Sequence, residues 1–339
     1  MNVSDIKNVA CVGGGVIGSS WAIQYALKGL HVTLYDINDQ QLAKSHDQML
    51  RSLDALVAHN AITAARKDEI IACAVGNKTV DFVVEGFDKA KSVMIVTSME
   101  EAVQDAQFIQ ESGPERIEIK RSILAQVEQY AAPDALYASS TSGLLISDIV
   151  AEALHPERCI GAHPYNPPHL IPLVELTRCD KTDDDCVQLA YDFYQSIGKE
   201  AVLLRKECPG FIANRLQLAL YREVQDLVMR GVCSVEDVDK ALVYGPGIRW
   251  AIFGHNMIMQ MGNPGGLTGM VEMLGNSGDR WLEDMASWTH QPDNWAQVAQ
   301  PGVNQEMANF PDYIGHTNAE CIAYRDQMLI DILKLHKKL

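Results

Sequence analysis

The chain has 339 residues, 47% of them apolar and 21% charged, with a net charge of −16. That length is more than one compact domain usually holds, and the apolar content supplies substantial cores, so two domains are expected and wholesale disorder is excluded. So acidic a chain has no overall field for nucleic acid or an anionic membrane. A small acidic ligand would need locally placed cations or a helix N-terminus.

Residues 8–29, "NVACVGGGVIGSSWAIQYALKG", read as a buried strand, a glycine turn and a helix, and "HVTLYDIN" (31–38) follows as a second strand. The first strand starts at about Lys7, so no secretory leader is expected ahead of it. A charged, mostly helical segment runs from about Asp39 to Ile71, and residues 75–103 show no clear period. "EAVQDAQFIQES" (101–112) predicts a short helix and a strand, "IEIKRSILAQVEQYA" (117–131) an amphipathic helix, and "ALYASSTS" (135–142) the next strand. Cys159–Ala162 is strand-like. It stops at His163, breaks on Pro164 and Pro167-Pro168, and returns as an apolar run that carries Glu175. After about residue 205 the signals turn helical, with "PGFIANRLQLALYREVQDLVMRG" (209–231) and "SVEDVDKAL" (234–242), whose serine is placed to cap. Alternating strands and helices predict a mostly parallel sheet with helices on both faces. The expected division is an α/β domain over 1–205 and an all-α domain over 206–339. No stretch of about 18 uninterrupted apolar residues occurs, so no membrane span is expected.

The eight cysteines include no C-x-x-C pair. Neither a zinc site nor a disulfide framework is expected, and the thiols fit a reducing compartment, the cytoplasm.

Gly13-Gly14-Gly15-Val16-Ile17-Gly18 fits G-x-G-x-x-G after a strand and at the head of a helix, and Asp36 closes the second strand eighteen residues beyond Gly18. This is the setting a dinucleotide fingerprint requires, and it makes the first domain Rossmann-type. Gly13 permits the tight turn, Gly15 lets a pyrophosphate approach the backbone, and Gly18 allows close packing of helix on strand. The amides of Val16 and Ile17 open the helix, whose N-terminus offers free N–H groups and positive potential. Asp36 can accept from both hydroxyls of an adenosine ribose. A 2′-phosphate would meet that carboxylate, and Ile37-Asn38 offers no arginine, so NAD is preferred to NADP; FAD is the competing dinucleotide.

Five ordered blocks complete the pattern: "VGGGVIGSSWA", "ESGPERIEIKRSIL", "ASSTSGLLISDI", "GAHPYNPPHLIPLVEL" and "CPGFIANRLQLALYREV". On these blocks the chain resembles the 3-hydroxyacyl-CoA dehydrogenase superfamily. The resemblance implies His163 as general base, Glu175 as its paired carboxylate, Ser142 near the substrate hydroxyl and Asn214 on the substrate oxygen. It also implies Glu115, Lys120 and Asn166 at the nicotinamide half of the NAD site, and a homodimer joined through the helical domain. These residue types suit the chemistry. Oxidising a secondary alcohol sends a hydride to the cofactor and a proton to a base, and histidine exchanges protons near neutral pH. A carboxylate on the far ring nitrogen fixes the tautomer and stabilises the imidazolium. Taken singly, His163 also reads as a capped or core residue, Ser142 as turn chemistry and Asn214 as a helix cap.

Within the superfamily, "SSTSGLL", "NPPHLIPLVEL" and "GPGIRWAIFG" resemble the branch acting on small free 3-hydroxy acids, most of all the lambda-crystallin (L-gulonate 3-dehydrogenase) type, with the L-carnitine dehydrogenase type as a near relative. Arg249 then becomes a candidate for a substrate carboxylate, and Trp250 and Phe253 would suit a quaternary ammonium. Two features depart from that branch: His255 stands where proline is usual, and residues 75–98 form a longer stretch. An acyl-CoA substrate in fatty-acid metabolism, or a silent structural role with NAD bound, are the competing readings. No metal site is expected.

Overall fold

The structure, a computed structural model, describes residues 1–72 and 92–338. Cys73 and residues 75–91 of the long 75–98 stretch lie outside the described residues. The chain divides into two compact units, one of Met1–Ile212 with Arg325–Leu339, the other of Ala213–Tyr324.

Among the described residues, the first unit is built on an eight-stranded sheet of β1 (Asn8–Val12), β2 (His31–Tyr35), β3 (Val93–Val96), β4 (Phe108–Glu111), β5 (Leu136–Ser139), β6 (Cys159–Pro164), β7 (Leu173–Thr177) and β8 (Glu200–Leu203), in the order β3-β2-β1-β4-β5-β6-β7-β8. Every neighbouring pair is parallel except β6–β7. The mostly parallel Rossmann-type sheet read from the sequence is therefore present. Among the described residues its helices are α1 (Val16–Leu27), α2 (Asp39–Ala58), α3 (Ala64–Ile71), α4 (Met99–Val103), α5 (Ile117–Tyr130), α6 (Ile146–Ile149) and α7 (Asp184–Ser196).

Strand alternation builds two cores, one per face of the sheet. Val9 and Cys11 of β1 join the core with Trp21 of α1, Leu53 of α2 and Phe193 of α7; Ala10 and Val12 join the other, with Val103 of α4, Leu124 of α5 and Ile149 of α6. The helices begin where side chains supply the missing acceptors. Asn38 accepts from the Gln41 amide at the head of α2, and Thr63 from the Arg66 amide at the head of α3. The helical stretch expected from Asp39 to Ile71 is thus two helices, parted where Asn60 takes a left-handed φ of +57°.

The second unit is helical: α8 (Ala213–Met229), α9 (Val235–Leu242), α10 (Ile248–Trp250), α11 (His255–Met261), α12 (Gly266–Asp284, kinked at Gly275) and α13 (Trp295–Asn309). Ser234 caps α9 by accepting from the Asp237 amide, as its sequence predicts. A last helix, α14 (Asn318–Leu335), ends in the stretch grouped with the first unit, where Ile330 and Leu333 enter the core. Helical periodicity had given all of 206–339 to the helical part. It registers a helix but not which core the helix joins. No helix among the described residues is long and apolar enough to cross a membrane.

Candidate active site

Strands β1, β2, β4, β5 and β6 run parallel, so their C-terminal ends share one edge of the sheet. That edge carries the glycine turn, Asp36, Glu111 to Glu115, Ser139 to Ser142, and His163 to Asn166. In open α/β sheets the crevice outside these ends is where ligands bind.

The three fingerprint glycines meet three different constraints. Gly13 has a φ of +103°, which disfavours any L side chain, and a Cβ there would stand 2.8 Å from the Ser112 carbonyl oxygen. A Cβ on Gly18 would stand 1.7 Å from the Gly13 carbonyl oxygen, so α1 can approach its own strand only without one. A Cβ on Gly15 would meet nothing within 4 Å. The backbone there faces open space, and Gly15 caps α1 with no side-chain acceptor. The first helical bond is the Ser19 amide to the Gly15 carbonyl, 2.9 Å, which leaves the amides of Val16, Ile17 and Gly18 without a partner inside the helix. An open cradle, free amides and the positive end of a helix fit a pyrophosphate. Asp36 is held in place by the amides of Gly14 and Ile37, each 2.7 Å from one of its oxygens.

A buried charge cluster forms the next part of the edge. Lys120 and Glu111 are 1% and 0% exposed. Lys120 Nζ donates to both Glu111 oxygens at 2.9 and 3.0 Å and lies 3.6 Å from Glu115 Oε2. Glu111 also accepts from the Gly113 amide and the Ser139 hydroxyl. Glu115 Oε1 gathers the Thr141 hydroxyl at 2.7 Å and the amides of Ser142 and Gly143 at 2.8 and 3.1 Å. Burial pushes the Glu115 carboxyl up. The Thr141 hydrogen bond, the Lys120 charge and the loop amides outweigh it and hold Glu115 below its usual range. Lys120 is thus enclosed beneath Glu115, and Glu115 clasps the loop that presents the exposed Ser142.

His163 and Glu175 face each other in the antiparallel β6–β7 register. His163 Nδ1 lies 2.8 Å from Glu175 Oε2, and the two residues are 5% and 1% exposed. A carboxylate only accepts, so the Nδ1 proton is committed to it and the Nε2 lone pair is left for chemistry. The other Glu175 oxygen accepts from the Ile212 amide at 2.8 Å. Phe211, buried with a left-handed φ of +51°, sets its ring 5.4 Å from the imidazole. Asn166 stands exposed two residues beyond β6.

Asn214, the second residue of α8, and Arg249, exposed in α10, belong to the other unit. His255 has a partner there: its Nδ1 accepts from Trp250 Nε1 at 3.2 Å, which fixes the indole. Sequence reading missed Glu111, Ser139, Phe211 and the Ile212 amide. The first two lie in strands that read simply as buried. The last two lie in the "CPGFIANR" block, where Asn214 alone drew notice.

The chain matches the family described as "3-hydroxyacyl-CoA dehydrogenase, NAD binding domain" over residues 8–208 and its C-terminal domain over 210–312. It is 34% identical to an L-carnitine dehydrogenase of Streptomyces griseus over 334 residues, covering 97% of this chain and 90% of that protein. It is also 34% identical to a 3-hydroxyacyl-CoA dehydrogenase of Gibberella moniliformis over 346 residues, covering 99% and 96%. Among solved structures, that of 5-formyl-3-hydroxy-2-methylpyridine 4-carboxylic acid 5-dehydrogenase, an NAD⁺-dependent dismutase, superposes with a TM-score of 0.75 at 25% identity, covering 98% of each chain. A Rossmann-type unit with an open phosphate cradle, a buried His–Glu pair at its edge, and relatives alike over nearly their whole length make this chain a member of the 3-hydroxyacyl-CoA dehydrogenase family, an NAD-dependent oxidoreductase acting on a CH–OH group.

Proposed function

We propose that the chain oxidises the 3-hydroxyl of a small free L-3-hydroxy acid, with L-carnitine as the leading substrate. The observation that carries the chemistry is the His163–Glu175 pair. Bound NAD supplies the hydride acceptor. Gly13, Gly15, Val16, Ile17 and Gly18 hold its pyrophosphate, Asp36 its adenosine ribose, and Glu115 and Asn166 border its nicotinamide half, with Lys120 beneath Glu115. His163 Nε2 takes the hydroxyl proton of the substrate. Glu175 keeps the ring oriented and stabilises the imidazolium. Ser142 and Asn214 hydrogen-bond the substrate oxygen as its proton leaves. Arg249 takes the carboxylate, and the exposed faces of Trp250 and Phe253 suit a trimethylammonium. The L-carnitine dehydrogenases among the relatives support this choice over L-gulonate.

The chain works as a homodimer through its helical unit, which buries none of its large apolar side chains within this chain. A reducing, cytoplasmic setting suits its thiols. Cys11, Cys159, Cys179 and Cys186 are buried and free, and burial pushes Cys186 up to about 12.

A His163→Gln variant is expected to lose kcat by ~10²–10⁴-fold with NADH affinity near wild type; near-normal turnover would sink the assignment. NADH absorbance across L-carnitine, L-gulonate, 3-hydroxybutyrate and 3-hydroxybutyryl-CoA identifies the substrate. A preference for the thioester would favour the acyl-CoA reading that the Gibberella relative brings, and no NADH from any substrate would favour a silent structural role.

A further inference from the structure

Beneath the catalytic edge lies a second polar cluster that the mechanism above does not use. The turn 165–172 joins β6 to β7, and so joins His163 to Glu175. Side chains from elsewhere in the unit tie its backbone down at three points. The His169 amide donates to Ser20 Oγ at 2.8 Å, while His169 Nδ1 lies 2.7 Å from the same oxygen. Lys199 Nζ donates to the carbonyls of Pro168 and Ile171, the second at 3.0 Å. Lys199 also sits over the Trp21 ring, 5.1 Å from its centroid. Ser20, His169 and Lys199 are 3%, 8% and 2% exposed.

Ser20 Oγ accepts from the His169 amide and still has its own hydrogen to give, so it donates to His169 Nδ1 when that nitrogen carries no proton. A neutral ring agrees with this: burial, and then the Lys199 charge, push His169 down to about 4. Burying a hydroxyl, an imidazole and an amine is costly unless each finds partners. Here the partners are backbone groups of one turn and two successive residues of α1, the helix whose N-terminus opens from the glycine turn.

We propose that Ser20, His169 and Lys199 are positioning residues for the nicotinamide end of NAD. Ser20 and His169 pin the 165–172 turn to α1, Lys199 pins it to the start of β8, and together they set Asn166, exposed at the start of that turn, against the dinucleotide whose phosphates α1 would hold. This rests on the reading in which Asn166 borders the nicotinamide half. The lock acts on one end of the cofactor only, which distinguishes it from general support of the fold.

ADP-ribose lacks the nicotinamide and supplies the control. Titrating NADH and ADP-ribose into the full chain, His169→Leu is expected to weaken NADH by about tenfold and ADP-ribose by less than about twofold, a tenfold loss matching one buried hydrogen bond. His169→Asn, whose side-chain oxygen can accept from Ser20 in place of Nδ1, should recover much of the NADH affinity. Equal weakening of both ligands, or unchanged NADH binding in His169→Leu, would overturn the proposal. If His169→Leu does not fold, Ser20→Ala is read by the same pair of ligands. Asn166→Ala separates the two readings: unchanged NADH affinity there removes Asn166 from the site, while the comparison in His169→Leu still decides the lock.

Discussion

Gly15 and Gly18 stand three residues apart at the head of α1, and a methyl group added to each meets opposite circumstances. At Gly18 it would lie 1.7 Å from a backbone oxygen, so strand or helix must move. Overpacking of that kind costs ~1–3 kcal/mol or more. At Gly15 it would touch no protein atom within 4 Å and so would intrude only on the space proposed for the phosphates. Gly18→Ala should therefore lower the thermal midpoint clearly. Gly15→Ala should leave it close to wild type, beyond a small capping loss, while weakening NADH by about tenfold or more. Thermal melts and NADH fluorescence titrations of the pair check this. Wild-type NADH affinity in Gly15→Ala would mean the open space is not the phosphate cradle.

At the scale of elements, the site depends on how strands and loops are tied together, and that is where sequence and structure part. The glycine turn and the parallel sheet were legible because each is a local pattern, a spacing and an alternation of elements; the His–Glu pair was legible only through the family resemblance of five ordered blocks, since His163 alone also reads as a core residue. The break between α2 and α3 was not, because it rests on one left-handed Asn60 within a helical composition. The clasp of β4, α5 and the β5 loop was not either. Glu111 looks like a strand residue and Lys120 like a cofactor contact until the fold brings them within 2.9 Å. The clasp has a testable energetics. Lys120 compensates a fully buried Glu111, and removing one partner of a buried pair typically costs ~3–5 kcal/mol because the other charge is stranded. Lys120→Met should lose stability on that scale in urea denaturation. Adding Glu111→Gln to it should recover part of the loss, because the stranded charge is then gone. A single-variant loss within the range of ordinary surface substitutions would mean the pair carries no such burden.

For the whole molecule, the two units contrast in what they bury. The first holds Trp21, Tyr25, Phe108, Phe193 and Tyr194 fully enclosed, with Gln110 accepting from the hydroxyls of Tyr25 and Tyr194. In Ala213–Tyr324 the buried residues are Gln225, Gly266, Ala286, Ala299 and Gly315. Its large apolar side chains remain partly or largely open, with Leu216 68%, Met273 62% and Trp281 62% exposed. Helices of this length are marginal in water without an apolar face covered, and exposed patches of this extent mark association surfaces. In the homodimer proposed above, a second copy would supply an equal and complementary apolar face, because an isologous interface uses the same patch twice. Sedimentation equilibrium should therefore give twice the chain mass at micromolar concentration. Leu216→Glu and Met273→Glu together should shift it toward one chain mass, with loss of helical circular dichroism from the uncovered unit. The first unit should keep its NADH binding through that change, since its cores are closed within one chain. A wild-type protein that sediments as a single chain with full helix content would remove the second copy from this account.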